Sequence, residues 1–159
     1  MKKTPNITIN TQVRTIDILP TILDIINVPV NKKKKLPDGS SMLKLIKGAK
    51  ENDRLAFSET GGVDGLYPSP DKPNVRCVSD GEWKLIQNLT TNQFELYNTN
   101  DDPDEINNLI NSEKHKKQRQ MMVELYWKEL KKNGDHSLSS KRNLNKITNE
   151  LNNIISNSI

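Results

Sequence analysis

The chain has 159 residues with a net charge of +4, from 24 basic and 20 acidic side chains, and a pI near 9.1. At 33% hydrophobic residues and a mean hydropathy of −0.76 it can hold one domain and a satellite, but it is short of apolar side chains for a core of ordinary size. One cysteine, Cys77, excludes an internal disulfide and a cysteine-based zinc cluster; the mild basicity gives no case for nucleic acid, and no apolar run approaches the ~18 residues of a membrane span.

The opening MKKTPNITIN has lysines but no apolar run behind them, so it does not read as a signal peptide and the default expectation is cytoplasmic. Ile7-Thr8-Ile9 alternates like one short strand or an extended lead-in. Asp17–Val28 is predicted as a helix, with Asp17 as N-cap and Pro20 tolerated in the first turn. Ile18, Leu19, Ile22, Leu23, Ile25 and Ile26 fall within roughly 160° of the wheel at ~100° per residue. A sector that broad belongs against a sheet or several neighbours, and the residues before it offer little to cover it.

Lys32–Lys35 reads as a solvated loop, with a phosphate- or sulfate-attracting patch as the alternative. Ser40 or Ser41 can cap a short helix, Met42 to Lys47, stopped by Gly48. Arg54–Glu59 is a strand-like run, and Gly61–Pro73 is a Gly- and Pro-rich irregular loop.

The centre of the chain is Val75 to Leu109. Two strand-like runs flank Asp80-Gly81, a hairpin signal because a tight primed turn needs the positive φ that glycine adopts at little cost. A third run is Phe94–Asn98. Asp102-Pro103-Asp104-Glu105 then carries the signature of a helix start, with Asp102 as cap, Pro103 at the first position and Glu105 completing a capping box. Lys114–Lys132 is a further helix, expected to lay Met122, Leu125 and Tyr126 on one face of the meander near Trp83 and Leu85. Ser137–Ile159 has an apolar helical stripe (Leu144, Ile147, Leu151, Ile154, Ile155) diluted by Asn and Ser, and reads as a marginal amphipathic tail.

Four blocks, Val13–Asp24, Pro37–Gly48, Arg54–Glu59 and Val75–Leu109 with its DGEWKLI, FELYN and DDPDEINNL, resemble in that order the C-terminal portion of the sulfatases, within the alkaline phosphatase superfamily. The resemblance implies a parent enzyme that hydrolyses sulfate esters with a formylglycine made in a C/S-x-P-x-R motif. It also implies a divalent cation, usually calcium. Neither can be placed here. Cys77 is followed by Val-Ser-Asp, Asp101-Asp102 reads as a turn and cap, and His115 and His136 are far apart.

The expected fold is α+β: a small antiparallel sheet of about four strands, near Leu55, Val75, Trp83 and Phe94, with a long helix on one face. It is expected to follow the last helix of an otherwise missing α/β sulfatase domain. The expected divisions are a remnant of that domain over 1–50, the sheet and helix over 51–135, and the tail over 136–159. The function implied by the resemblance is that of the C-terminal fragment of a sulfuric ester hydrolase, inactive alone. It would complete the substrate pocket of a catalytic half, with Glu59, Tyr67, Lys72 and Arg76 as rim candidates, Arg76 and Glu59 being equally readable as strand-surface residues. A complementing N-terminal sulfatase domain, or self-association through Asp17–Val28, is the expected partnership; no cofactor, nucleic acid or membrane span is assigned. The alternative is a non-enzymatic module whose Lys32–Lys35 and Lys114–Arg119 patches meet an acidic partner.

Overall fold

The computed structural model describes residues 8–28, 39–60, 75–89 and 91–132. They fall into two compact units, the first ending at Ala56 and the second starting at Phe57. Among the described residues no helix is long and apolar enough to cross a membrane.

The second unit is an α+β layer pair. Strands β1 (Ala56–Thr60), β2 (Val75–Ser79), β3 (Trp83–Asn88) and β4 (Gln93–Asn98) form one sheet in the order β1-β2-β3-β4. β2 pairs antiparallel with β3 through Cys77 opposite Ile86, and β3 with β4 through Leu85 opposite Leu96. The hairpin forms at Asp80-Gly81 as its residues predict. Gly81 sits at φ 105, and Asp80 Oδ1 accepts from the backbone N–H of Glu82 (3.0 Å) and Trp83 (2.7 Å).

Alternation along β3 buries Trp83, Leu85 and Gln87 on one face. The long helix α3 (Lys116–Lys132), entered through a 3-10 turn at Glu113–His115, packs on that face and buries Met122, Val123, Tyr126 and Leu130. Tyr126 is its centre. Its ring lies 6.1 Å from Phe57, 6.0 Å from Phe94 and 5.1 Å from Trp127, and its hydroxyl donates to Gln87 Oε1. Trp83 is buried as expected, and its ring lies 5.4 Å from that of His115 in the turn that leads into α3.

The helix expected after Asp102 does not form; residues 101–112 are a chain of turns. Asp102 does cap, accepting from Ile106 N (3.1 Å) and Asn107 N (2.8 Å). Glu105, however, adopts φ 55, outside the helical region. Asn108 Oδ1 and the Leu109 N–H then bond the backbone of Leu96 at 3.1 and 2.7 Å, stretching the segment along the outer edge of β4. Closing that edge satisfies backbone groups that a helix would have left bare. One consequence is Ile106, 76% exposed.

In the first unit, a 3-10 turn (Thr15–Asp17) leads into α1 (Ile18–Ile25), and Asn27 ends it at φ 53. The helix is shorter than the predicted Asp17–Val28. Helix α2 (Leu43–Ile46) is terminated by Gly48 at φ 88, as its sequence indicates, and Ser41 Oγ accepts from Leu43 N at 3.1 Å. Thr8 and Ile9 lie in no strand, and Ile7 is outside the described residues. Gly134 and the 137–159 stripe are also outside them.

Asp17 does not cap α1 with its side chain. It is fully buried and turned onto Arg14, Ser40 and Arg54. The residues 39–42 cross the polar side of α1, where Ser40 N donates to Asp17 Oδ1 (2.8 Å), Met42 N to Thr21 Oγ1 (2.8 Å) and Ser41 Oγ to Asp24 Oδ2 (2.7 Å). A Cβ on Gly39 would overlap the Ile16 carbonyl oxygen, so glycine is what lets this strap approach.

Candidate functional site

The four rim candidates divide into two groups. Tyr67 and Lys72 lie outside the described residues. Glu59 on β1 and Arg76 on β2 are brought together, with Arg76 Nε 3.0 Å from Glu59 Oε2. The Arg76 side chain is only 16% exposed, whereas that of Glu59 is 51% exposed. Beside the pair, Val75 N donates to Thr60 Oγ1 at 3.3 Å, so the ends of β1 and β2 are tied at both positions. A guanidinium stays charged at any working pH and presents a donor fork suited to a carboxylate or a tetrahedral oxyanion. Of the two candidates among the described residues, Arg76 carries the cation and Glu59 is bound to it.

Several of the other residues singled out from the sequence are engaged within the fold. Cys77 is a free, half-buried thiol on β2, and burial pushes its pKa up, the wrong direction for a nucleophile. Asp102 is committed to its turn, as above, and Asp101 N donates to Asn98 Oδ1 at 3.2 Å. His115 Nδ1 lies 3.0 Å from Ser112 Oγ with its ring against Trp83, and His136 is outside the described residues. No group of three or more His, Cys, Asp and Glu residues that could hold a metal gathers among the described residues. Of the basic patches, Lys32–Lys35 lies outside the described residues, and the Lys114–Arg119 patch loses its arginine. Arg119 is buried, with Nη1 donating to the Ile110 carbonyl at 2.5 Å.

One constellation has no counterpart among the residues picked from the sequence, and it surrounds Asp17. Its carboxylate accepts from Arg14 N (3.0 Å) and Arg14 Nη2 (2.9 Å), from Ser40 N, and from Arg54 Nη1 at 3.0 Å. Burial alone would raise its pKa. The hydrogen bonds from Arg14, Ser40 and Arg54 outweigh that and hold the carboxyl well below the usual carboxylate range. Arg54 is shifted up in turn, first by its bond to Glu51 (2.8 Å) and then by Asp17. The Asp17 carboxylate ties Arg14, Ser40 and Arg54 together, so the cluster acts as a structural clasp. An open groove of about 450 Å3 beside it, lined by Ile9, Leu45, Lys50 and Glu51 among others, has its carboxylate committed to Arg54.

The family model for the C-terminal region of N-sulphoglucosamine sulphohydrolase matches residues 2–133. The chain belongs to that family. The sheet and long helix are thus those of a sulfatase C-terminal region. Among solved structures, the chain is similar to a 2-O GAG sulfatase at 23% identity and a TM-score of 0.69, over 87% of this chain and 29% of that one. It is similar to a protein solved in complex with its substrate D-glucosamine-2-N,6-O-disulfate at 21% identity and a TM-score of 0.62, over 79% and 25%. A phosphonate monoester hydrolase from Silicibacter pomeroyi is similar at 21% and 0.55, over 80% and 26%. These likenesses establish the fold, and since it serves a phosphonate hydrolase too, they do not by themselves select the ester. The sulfatase region spans between a quarter and a third of each of these chains. Comparison with curated proteins by sequence found no match.

Proposed function

We propose that this sulfatase region acts as the non-catalytic C-terminal part of a sulfuric ester hydrolase, working with a catalytic portion that supplies the nucleophile and the metal. The observation that carries the reading is the family match across residues 2–133. The calcium and formylglycine that such an enzyme would use do not fit the described residues. Cys77 is half-buried with a raised thiol pKa, and the carboxylates of Asp17, Glu51 and Asp102 are bound to arginines or to backbone N–H groups.

In this reading Arg76 and Glu59 stand at the rim of the substrate pocket, where Arg76 meets an anionic group of the sulfated substrate and Glu59 holds the guanidinium in place. The exposure of α1 supports the need for a catalytic portion. Ile18, Leu19, Ile22, Ile25 and Ile26 are each 49–59% exposed. Complete burial of such a side chain is worth ~1.5–3 kcal/mol, so half-exposure of five forgoes on the order of 5 kcal/mol.

Two measurements test the proposal. The purified full chain should release no sulfate from an aryl sulfate above a blank, with or without calcium. Turnover that survives repurification and vanishes in Cys77→Ser would refute it. With a catalytic portion bound, Arg76→Gln should raise KM by about tenfold, the loss of one charge-assisted contact of ~1.5 kcal/mol, and leave kcat little changed. An unchanged KM removes the rim role.

A further inference from the structure

Resting on the rim reading above, we infer that the β3–β4 turn, at Thr91 and Asn92, is a second wall of the substrate rim. It meets the uncharged part of the ester whose anionic group Arg76 holds. Pairing of Val75 with Asn88 and of Arg76 with Gln87 sets the start of β2 beside the end of β3, so the turn and the Glu59–Arg76 pair share one end of the sheet. They share a face as well. Directly opposed residues of an antiparallel pair project to the same side. Gln87, opposite Arg76, bonds Tyr126 of α3 and donates through Nε2 to Asn92 Oδ1 at 2.8 Å.

Charge separates this end from the other. The hairpin end gathers Asp80, Glu82, Asp101, Asp102, Asp104 and Glu105 around Lys84. There Thr99 N donates to the Glu82 carbonyl at 2.8 Å, and Lys84 Nζ lies 2.6 Å from Glu105 Oε1. The helix α3 starts at that end, with His115 against Trp83. It runs to the opposite end, where Tyr126 meets Gln87, and finishes on Lys131 and Lys132, the latter 3.8 Å from Glu129. An anionic ester is thus repelled by the hairpin end and drawn to the Arg76 end.

The turn is also held still. Tyr126 fixes the buried Gln87, and Gln87 fixes Asn92, whose φ of 57 is a left-handed conformation that Asn tolerates. Asn88 Oδ1 accepts from Thr91 N at 3.1 Å. Thr91 and Asn92 are exposed and carry no charge. A hydroxyl and an amide on a fixed backbone suit the hydroxyl-bearing part of a substrate, adding hydrogen bonds without competing for its anion.

The test is an amide-resolved NMR titration of the full 159-residue chain with glucose monosulfate and, separately, phenyl sulfate. Glucose monosulfate should shift the amides of Arg76, Thr91 and Asn92 together and leave residues 80–82 and 101–105 still. Phenyl sulfate, an anion without hydroxyls, should shift Arg76 and spare the turn. Asn92→Asp keeps the size and an acceptor for Gln87 but brings a carboxylate to the rim, and should weaken glucose monosulfate at least about fivefold. Asn100→Asp makes the same change beside Asn98, at the hairpin end, and should have no effect. Thr91→Val, which removes only a hydroxyl, should weaken glucose monosulfate about threefold and leave phenyl sulfate unchanged. Shifts at Arg76 without the turn overturn this inference and leave the rim reading standing. So do a turn that answers equally to phenyl sulfate and an Asn92→Asp chain that binds as the wild type or no worse than Asn100→Asp. No shift at Arg76 with either probe refutes the rim reading, and the second wall with it.

Discussion

Replacing Asp17 by Asn asks whether the first unit is held by charge rather than by apolar burial. The carboxylate is fully buried, and the two arginines on it are 19% and 11% exposed, so screening by solvent is slight. Removing one partner of such a buried set costs ~3–5 kcal/mol, because it strands opposite charge out of water. Asn keeps the size and one acceptor oxygen but turns an amide N–H toward a guanidinium. Local opening should then ease by roughly two to three and a half orders of magnitude, at 1.4 kcal/mol per factor of ten. Peptide-resolved hydrogen exchange reads this directly. Protection should fall across residues 14–26 and 39–55 and hold in β3 and β4, whose core is separate.

The pH arm has a definite sign. The folded carboxyl lies below its unfolded value near 3.9. Its contribution is therefore complete above about pH 4 and is lost as pH falls toward the folded value. The wild type should weaken in this unit below that pH, and Asp17→Asn should show less of the dependence. Protection equal to wild type at neutral pH, or an equal loss in both units, would refute the clasp.

The same contacts set two further outcomes. Gly39→Ala drives a Cβ into the Ile16 carbonyl oxygen, so the strap must lift, and exchange at the Ser40 and Met42 amides should rise sharply while the sheet melts as before. Trp83→Ala empties a buried site between β3 and His115. It should cost ~3–5 kcal/mol, read as a lower urea midpoint; an unchanged midpoint would mean that the ring contributes no packing.

How much was legible depended on how local each determinant is. The strands and their hairpin could be read because their signals are contiguous: period-two burial in Trp83, Leu85 and Gln87, and Asp80-Gly81 at the turn. α3 was readable for the same reason, with its buried Met122 and Tyr126 at helical spacing. The helix after Asp102 misled because capping chemistry is local, whereas the bond that decides the outcome runs from Leu109 to Leu96 on another element. Asp17 looked like a cap because caps are acidic residues before apolar runs. Its partners Ser40 and Arg54 come from distant points of the chain, and nothing in the pattern announces them. Glu59 and Arg76 could each be picked as polar residues near a loop. That they pair depends on β1 lying beside β2, which is set across the intervening Gly61–Pro73 segment and not within either strand.

The two units are stabilised by opposite means. In the second, Val78, Leu85, Leu96, Met122 and Tyr126 are fully buried, and the outer edge of β4 is sealed by Asn108 and Leu109. Such a body has its core and its edge protection in itself. In the first, the buried groups among the described residues are Asp17, Thr21 and Leu45, and the isoleucines point outward. A polar clasp fixes geometry by direction but supplies little net free energy, because the desolvation of its charges offsets much of their attraction. The first unit therefore holds its shape by directional bonds while Ile18, Leu19, Ile22, Ile25 and Ile26 stay exposed. That division gives this sulfatase C-terminal region one part built on apolar packing and one built on a polar clasp.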